Sequence, residues 1–289
     1  MNYIDSHCHL DRLFKKQRWS RSLEEYARTH PQPFPRGYRG TISVWCDPET
    51  HQMADRLLEG QENVWAAFGV HPTKAPLWSP QVALRIESYL DTFPQAVAWG
   101  EMGLDYHGHR GPYSPPLQRS VFRAQLMRAS RRNIPVVIHC RDAEEDLLPI
   151  MREILPHDYA IHYHCVTVGP STIQPFVEYF TNMKFGFTGL LNDSRRGGPA
   201  RDAVRRLPLH RILAETDAPY FCPPSLKSPS LPSRWRGSSH PGSISGVVAT
   251  IAHLKDYPLR ELATRIVLNT ASLYRLALPP LPRILEERE

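Results

Sequence analysis

The chain alternates short, wholly apolar runs with longer stretches in which apolar residues recur every three to four positions. The apolar runs predict eight strands: Tyr3 to His7, Gly40 to Trp45, Val64 to Gly69, Val97 to Glu101, Pro135 to His139, Ala160 to His164, Lys184 to Phe187 and Ile212 to Glu215. The helical period runs through Pro80 to Phe93, Gln118 to Asn133, Ala143 to Ile154 and Thr172 to Phe180, and Ser243 to Lys255 and Leu259 to Ala277 read as closing helices. Strands apolar on both faces need cover on both faces, which a parallel sheet flanked by helices supplies. Eight such units predict an α/β fold, a TIM (β/α)8 barrel. Residues 1–289 then form a single domain with a core from about 3 to 277 and extended loops at the carboxyl ends of the strands. The competing open doubly wound sheet would carry a G-x-G-x-x-G turn after the first strand, and none is present.

Three regions interrupt this rhythm. Asp11 to Arg39 interleaves Arg12, Lys15, Lys16, Arg18, Arg21, Arg28, Arg36 and Arg39 with Phe14, Trp19, Tyr26, Phe34 and Tyr38. Such a mixture suits a groove for single-stranded nucleic acid, where cations meet phosphates and rings stack on bases. It equally suits a solvated helix with a small core of its own. Asn192 to Arg211 is arginine-rich, and Arg195-Arg196-Gly197-Gly198 reads as a flexible basic loop tip. Pro219 to Pro241 is too rich in proline and serine for regular structure, so it is expected as a lid, a cleft wall or a long disordered connection.

Composition narrows the class. No apolar run approaches the roughly 18 residues that span a bilayer, and the polar start with Asp5 and Asp11 is unlike a secretory signal, so a soluble protein of the nucleus or cytoplasm is expected. Five cysteines without a C-x-x-C pair argue for reduced thiols. Cys8, Cys140 and Cys165 neighbour candidate ligands but are expected to face the opposite side of their strands. The net charge of +6 is compatible with an anionic partner. Nothing specifies an oligomeric interface, so a monomer is expected.

The chemistry begins in the first strand. Residues two apart in an extended strand share a face, so His7 and His9 present two imidazoles together. Further ligand types end later strands: Glu101, His139, His164 and Asp217. Imidazoles with carboxylates suit Zn²⁺, Mn²⁺ or Mg²⁺. Six ligands exceed what one catalytic ion needs, and two ions roughly 3.5–4 Å apart use them economically. His7, His9 and Asp217 are assigned to one ion, His139 and His164 to the other, with Glu101 bridging. Asp217 doubles as general base. His71 is either a donor to a substrate oxygen or leaving group, or the partner of a loop hydrogen bond. Asp105 and Asp142 either orient ligating imidazoles or cap the following helices, and Glu215 is placed behind the ligands rather than among them. His162 competes with His164, which lies nearer the strand end. His107, His109 and His240 are read as loop histidines.

These residues sit in D-S-H-C-H-L-D at 5–11, G-V-H-P at 69–72, G-E-M-G-L-D-Y at 100–106, I-H-C-R-D-A at 138–143, H-C-V-T at 164–167 and E-T-D-A-P-Y at 215–220. Together, in this order, they resemble the TatD family of metal-dependent deoxyribonucleases, of the amidohydrolase superfamily. F-G-F-T-G at 185–189 and S-H-P-G at 239–242 are similar to its animal branch. The resemblance implies a TIM barrel, two divalent metals (Mg²⁺ or Mn²⁺, with Zn²⁺ as the alternative) and phosphodiester hydrolysis in nucleic acid. It places His7, His9, Glu101, His139, His164 and Asp217 at ligand positions. One departure is His164-Cys165-Val166-Thr167-Val168, where the family carries H-C-F-T-G.

The expected function is a two-metal nuclease, a 3′-to-5′ exonuclease on single-stranded DNA with RNA as a further substrate. Arg141, Arg195, Arg196, Arg234 and Arg236 are the expected phosphate-holding residues. Two alternatives are an amide or ester hydrolase, such as a deacylase of aminoacyl-transfer RNA, and a catalytically silent nucleic-acid-binding adaptor.

Overall fold

In the computed structural model all eight strands form and pair in parallel in chain order. They are β1 (Tyr3–Cys8), β2 (Tyr38–Trp45), β3 (Val64–Phe68), β4 (Ala96–Asp105), β5 (Val136–Arg141), β6 (Ile161–Tyr163), β7 (Met183–Phe187) and β8 (Ile212–Ala214). The structure describes residues 1–108 and 114–278, so His109 and the far end of the chain lie outside the described residues. The helices are α1 (Leu10–Gln17), α2 (Leu23–Thr29), α3 (Met53–Leu58), α4 (Pro80–Thr92), α5 (Pro115–Arg132), α6 (Glu144–Ile154), α7 (Pro170–Tyr179), α8 (Gly198–Arg206), α9 (Ile244–Lys255) and α10 (Leu259–Tyr274). Proline opens α4, α5 and α7, where its missing N–H is no loss.

The seam between β8 and β1 nearly closes the barrel. The Ser6 hydroxyl donates to the Ala214 carbonyl at 2.9 Å, Asp217 N–H to His7 O at 3.0 Å, and His9 N–H to Ala218 O at 2.7 Å. Fully buried Asp5 adds to this: its carboxyl accepts from the Thr216 N–H at 2.8 Å and the Thr216 hydroxyl at 2.5 Å. Burial pushes the Asp5 carboxyl well above the usual range, with the Thr216 bonds opposing. The sequence reading had given Asp5 no role.

Two apolar layers follow from the side-chain period of two. The outer layer lies between strands and helices and includes Trp45, Phe68, Trp99, Phe122, Phe176 and Phe185. The inner layer fills the barrel with Ile42, Val44, Ala67, Ala98, Val137 and Leu213, joined by Leu273 and Tyr274 of α10. Continuing those inward rows toward the carboxyl ends, the apolar residues give way to His139, His162 and Glu215. The barrel interior is therefore oily at depth and polar at its mouth.

The structure corrects several expectations. β4 runs on to Asp105, whereas β6 stops at Tyr163, before His164. The aromatics of 11–39 do not line a groove: Phe14 and Tyr26 are fully buried, and Tyr26 packs against Trp19, Phe34 and Trp235. The proline-rich segment is an ordered wall pinned by that cluster, with Trp235 and Leu226 buried. The arginine-rich segment contains α8, where Gly197 precedes the first turn and Arg201 returns to the Leu191 and Asp193 carbonyls, both at 3.0 Å. A nine-residue helix with alanine and valine on its buried side was hidden by its arginines.

Candidate metal centre

His7 is the next-to-last residue of β1 and His9 lies just past its end, and their Nε2 atoms lie 3.3 Å apart. His9 Nδ1 lies 2.9 Å from the Val44 carbonyl, which can only accept, so Nδ1 carries the hydrogen and Nε2 the lone pair. Burial and the nearby His164 lower the His7 pKa well below its ordinary value, leaving that ring neutral. The chain turns past β8 through a left-handed Asp217 (φ 48°), a conformation aspartate tolerates. That turn brings Asp217 Oδ1 to 3.3 Å from His9 Nε2 and 3.8 Å from His7 Nε2.

Glu101 reaches the same point because β4 bulges there. Its register against β5 slips between Gly100 and Met102, and glycines with positive φ stand on both sides. A Cβ on Gly103 would strike the His139 carbonyl, so the close approach of β4 to β5 requires a bare backbone. Glu101 Oε2 is 3.6 Å from both His7 and His9 Nε2, while Oε1 is 2.7 Å from His139 Nδ1 and 3.8 Å from His164 Nε2. Burial alone would raise the Glu101 pKa. The imidazoles of His164, His71 and His139 outweigh it and hold the carboxyl well below the usual range.

Behind these atoms stand fully buried Glu215 and the half-buried Asp105. Glu215 Oε1 accepts from Cys165 N–H at 2.6 Å and lies 2.9 Å from His164 Nδ1, and Oε2 lies 2.8 Å from His162 Nε2. His162 turns its Nδ1 to the Tyr274 hydroxyl at 2.6 Å, so it backs Glu215 rather than competing with His164. Asp105 Oδ2 is 3.4 Å from His139 Nε2. Asp142 instead meets His107 at 3.0 Å in an exposed rim pair, away from the candidate ligands. His107 is thus tied to the rim, and His240 is buried in the aromatic cluster rather than in a free loop.

Does this set fit divalent cations? Ligand atoms of His7, His9 and Asp217 lie within 4.8 Å of one another, as do those of His7, Glu101 and His164. These donor atoms converge on one buried point: burial would lower the His139 and His164 pKa values, yet Asp105 and Glu101 raise that of His139 and Glu215 and Glu101 raise that of His164 to about 10, so the cluster draws positive charge to itself, and buried Asp217 Oδ1 has no hydrogen-bond partner. Without a cation that convergence is unfavourable; with one it is a coordination shell. The residues fit.

A cleft of about 1410 Å³ opens over the cluster, lined among others by Arg12, His71, Arg141, Arg196, Tyr220 and Lys227. The Thr73 N–H donates to His71 Nδ1 at 3.2 Å, so that nitrogen holds the lone pair and the neutral ring keeps its hydrogen on Nε2, 3.6 Å from Glu101 Oε1. His71 is therefore built as a donor, the reverse of His9. Arg195 is exposed outside the cleft lining, and Arg196 pairs with Asp193 at 2.8 Å. Arg234 lies over the Trp235 ring at 4.6 Å and Arg236 donates to the Pro229 and Leu231 carbonyls, so both brace the proline-rich wall instead of facing the cleft. Cys165 lies past the end of β6 in left-handed backbone and lines the cleft, contrary to its expected orientation. The sequence reading also missed Cys46, whose Sγ lies 3.5 Å from Glu101 Oε2. Its place two residues beyond Val44 on the inward row of β2 was the available signal.

With that geometry in place, the chain's relatives can be compared. A family model described as TatD-related DNase matches residues 4–275. The chain belongs to the TatD family. It is 41% identical over 277 residues to "3'-5' RNA nuclease TATDN2" of Homo sapiens, covering 95% of this chain and 35% of that protein. This chain thus spans about a third of that relative's length. It is 32% identical to "3'-5' ssDNA/RNA exonuclease TatD" of Klebsiella pneumoniae, covering 86% of this chain and 93% of that one. Among solved structures, the TatD homologue YJJV of Escherichia coli superimposes with a TM-score of 0.78 at 25% identity, over 95% of this chain and 98% of that one. Among the described residues of this TatD protein, no helix is long and apolar enough to cross a membrane.

Proposed function

We propose that this protein is a divalent-metal-dependent nuclease that removes nucleotides from the 3′ end of single-stranded DNA or RNA. The observation that carries the reading is the unpartnered Asp217 carboxylate oxygen facing the Nε2 atoms of His7 and His9, with Glu101 beside them, at the floor of a cleft edged with cations. The names of the human and Klebsiella relatives support the class of substrate and the polarity.

His7, His9 and Asp217 would hold one ion and His139 and His164 a second, with Glu101 between them. Two such ions, Mg²⁺ or Mn²⁺ with Zn²⁺ as the alternative, supply charge neutralisation for the phosphate and acidify the attacking water. Asp217 accepts that water's proton. His71 directs its Nε2–H to the departing oxygen. Glu215 and Asp105 fix the rings of His164 and His139, and Arg141 and Lys227 hold neighbouring phosphates at the rim.

The test is a time course on 3′-labelled and 5′-labelled single-stranded DNA and RNA with Mg²⁺, Mn²⁺, Zn²⁺ or EDTA, beside Glu101→Ala. Laddering from the 3′ end that disappears with EDTA and in the variant is expected. A protein that binds the ions yet cuts no strand would overturn the reading.

A further inference from the structure

Arg12 is a cleft cation that the sequence reading counted only as one charge of a basic segment. It lies on α1, three residues beyond His9, and its half-buried guanidinium points into the cleft. Nη1 donates to the Tyr220 hydroxyl at 3.0 Å, and Nη2 to Cys46 Sγ at 3.2 Å. Its carbon also lies 5.8 Å from the Tyr220 ring. Cys46 in turn touches Glu101, and the Tyr220 ring meets His9 edge to face at 6.1 Å. Arg12 is therefore fixed to the candidate metal cluster from two sides.

Its partners are what set it apart. Among the described residues no carboxylate oxygen lies within 4 Å of it, whereas Arg196 in the same cleft is matched by Asp193. Arg141 is exposed at the end of β5. A guanidinium has more N–H donors than one hydroxyl and one thiol occupy. A half-buried cation whose direct partners are neutral, with the Glu101 and Asp11 carboxylates acting on it only from a distance, is an incomplete ion pair, and an anion entering the cleft completes it.

Resting on the nuclease reading, we propose that Arg12, steadied by Tyr220 and Cys46, takes a non-bridging oxygen of the scissile phosphate. Charge on those oxygens must be stabilised as the phosphoryl group transfers, and a donor already fixed in place does so without reorganisation. Arg12 is then a catalytic residue. Tyr220 is a positioning residue that acts through it.

The experiment compares the Mn²⁺-loaded wild type with Arg12→Ala, Arg12→Lys and Tyr220→Phe. Four quantities are read: strand cleavage, calorimetric affinity for inorganic phosphate, Mn²⁺ affinity and melting temperature. For Arg12→Ala the expectation is a fall in kcat/KM of roughly 10²–10³-fold, with phosphate binding weakened by about tenfold or more, and with Mn²⁺ affinity and melting temperature unchanged. Arg12→Lys keeps charge but not the two-pronged geometry and falls between. Tyr220→Phe loses about tenfold or less. A neutral methylphosphonate at the scissile linkage slows the wild type far more than Arg12→Ala, because the oxygen in question is gone.

Phosphate affinity unchanged in Arg12→Ala overturns the proposal. So does a loss of Mn²⁺ affinity that accounts for the whole fall in rate. If the wild type cuts no strand with any metal but binds phosphate through Arg12, the nuclease reading fails and the phosphate seat stands.

Discussion

Two groups of histidines, one at the barrel mouth and one against the proline-rich wall, are built in opposite ways. At the barrel mouth His7, His9, His139 and His164 turn ring nitrogens toward Glu101 and Asp217. In the bolster that joins residues 11–39 to the proline-rich wall, the His30 and His240 rings meet at 4.1 Å between centroids, tilted by 43°, among Tyr26, Phe34 and Trp235. Carboxylates converge on the first group and rings on the second. The difference teaches that a histidine's use is set by its neighbours: the mouth is arranged for cations, and the bolster is packed to hold the wall of the cleft.

Breaking the first group has the largest expected effect. Glu101→Ala removes a carboxylate that touches all four imidazoles, and cleavage is expected to fall by about 10³-fold or more, comparable with removing a principal catalytic group. Single-turnover rates beside an unchanged circular dichroism spectrum check it. Breaking the second group is expected to affect stability instead. Trp235→Ala empties the centre of the bolster at a cost of about 3–5 kcal/mol, read from denaturant unfolding of the metal-loaded protein. If Trp235→Ala unfolded at the wild-type midpoint, the bolster would not be a core.

A smaller effect sharpens what holds the mouth in order. Glu215→Gln keeps the shape but lessens the hold on His164 Nδ1, and metal affinity is expected to fall about 10–100-fold while the nucleic acid KM holds. Gly186 shows how tightly that carboxylate is seated: a Cβ there would collide with Glu215 Oε2 and His162 Nε2. Gly186→Ala is therefore expected to mimic Glu215→Gln, checked by the same titration.

The mouth was legible in the sequence because strand geometry does the placing. His139 sits on the inward row of β5 and His7 and Asp217 lie next to or just past strand ends, where a period of two and a parallel barrel leave little freedom, whereas Glu101 lies well inside β4 and owes its place to the bulge. Glu215 lies behind His164, where the inward row of β8 puts it. The bolster was not legible: Phe14 and Tyr26 fall on helices, and Trp19 on the link between them, whose buried face is decided by Trp235, more than two hundred positions away. Rim arginines failed for a related reason. A long flexible side chain goes to the nearest acceptor, and for Arg236 that is the loop's own carbonyls.

The weakest perturbation separates the two groups by pH. Burial, with His30 adding to it, holds the His240 pKa well below 6.5, and burial lowers that of His30 against an opposing bond to Gln32. The groups facing the pair are rings, the Gln32 side-chain amide and backbone and the Gly242 N–H, with no carboxylate in contact among the described residues. When unfolded, each imidazole takes a proton near its ordinary pKa of about 6.5. Stability from the neutral pair is thus complete above that value and is lost as pH falls below it toward the folded pKa. The slope for His240 is at most about 1.4 kcal/mol per pH unit, with His30, nearer the surface, adding less. Hydrogen exchange at 226–240, once divided by the intrinsic base-catalysed rate, is expected to quicken between pH 7.5 and 5.5, and His240→Gln is expected to flatten that dependence. An equal acceleration in His240→Gln would move the acid sensitivity away from the bolster and back to the mouth.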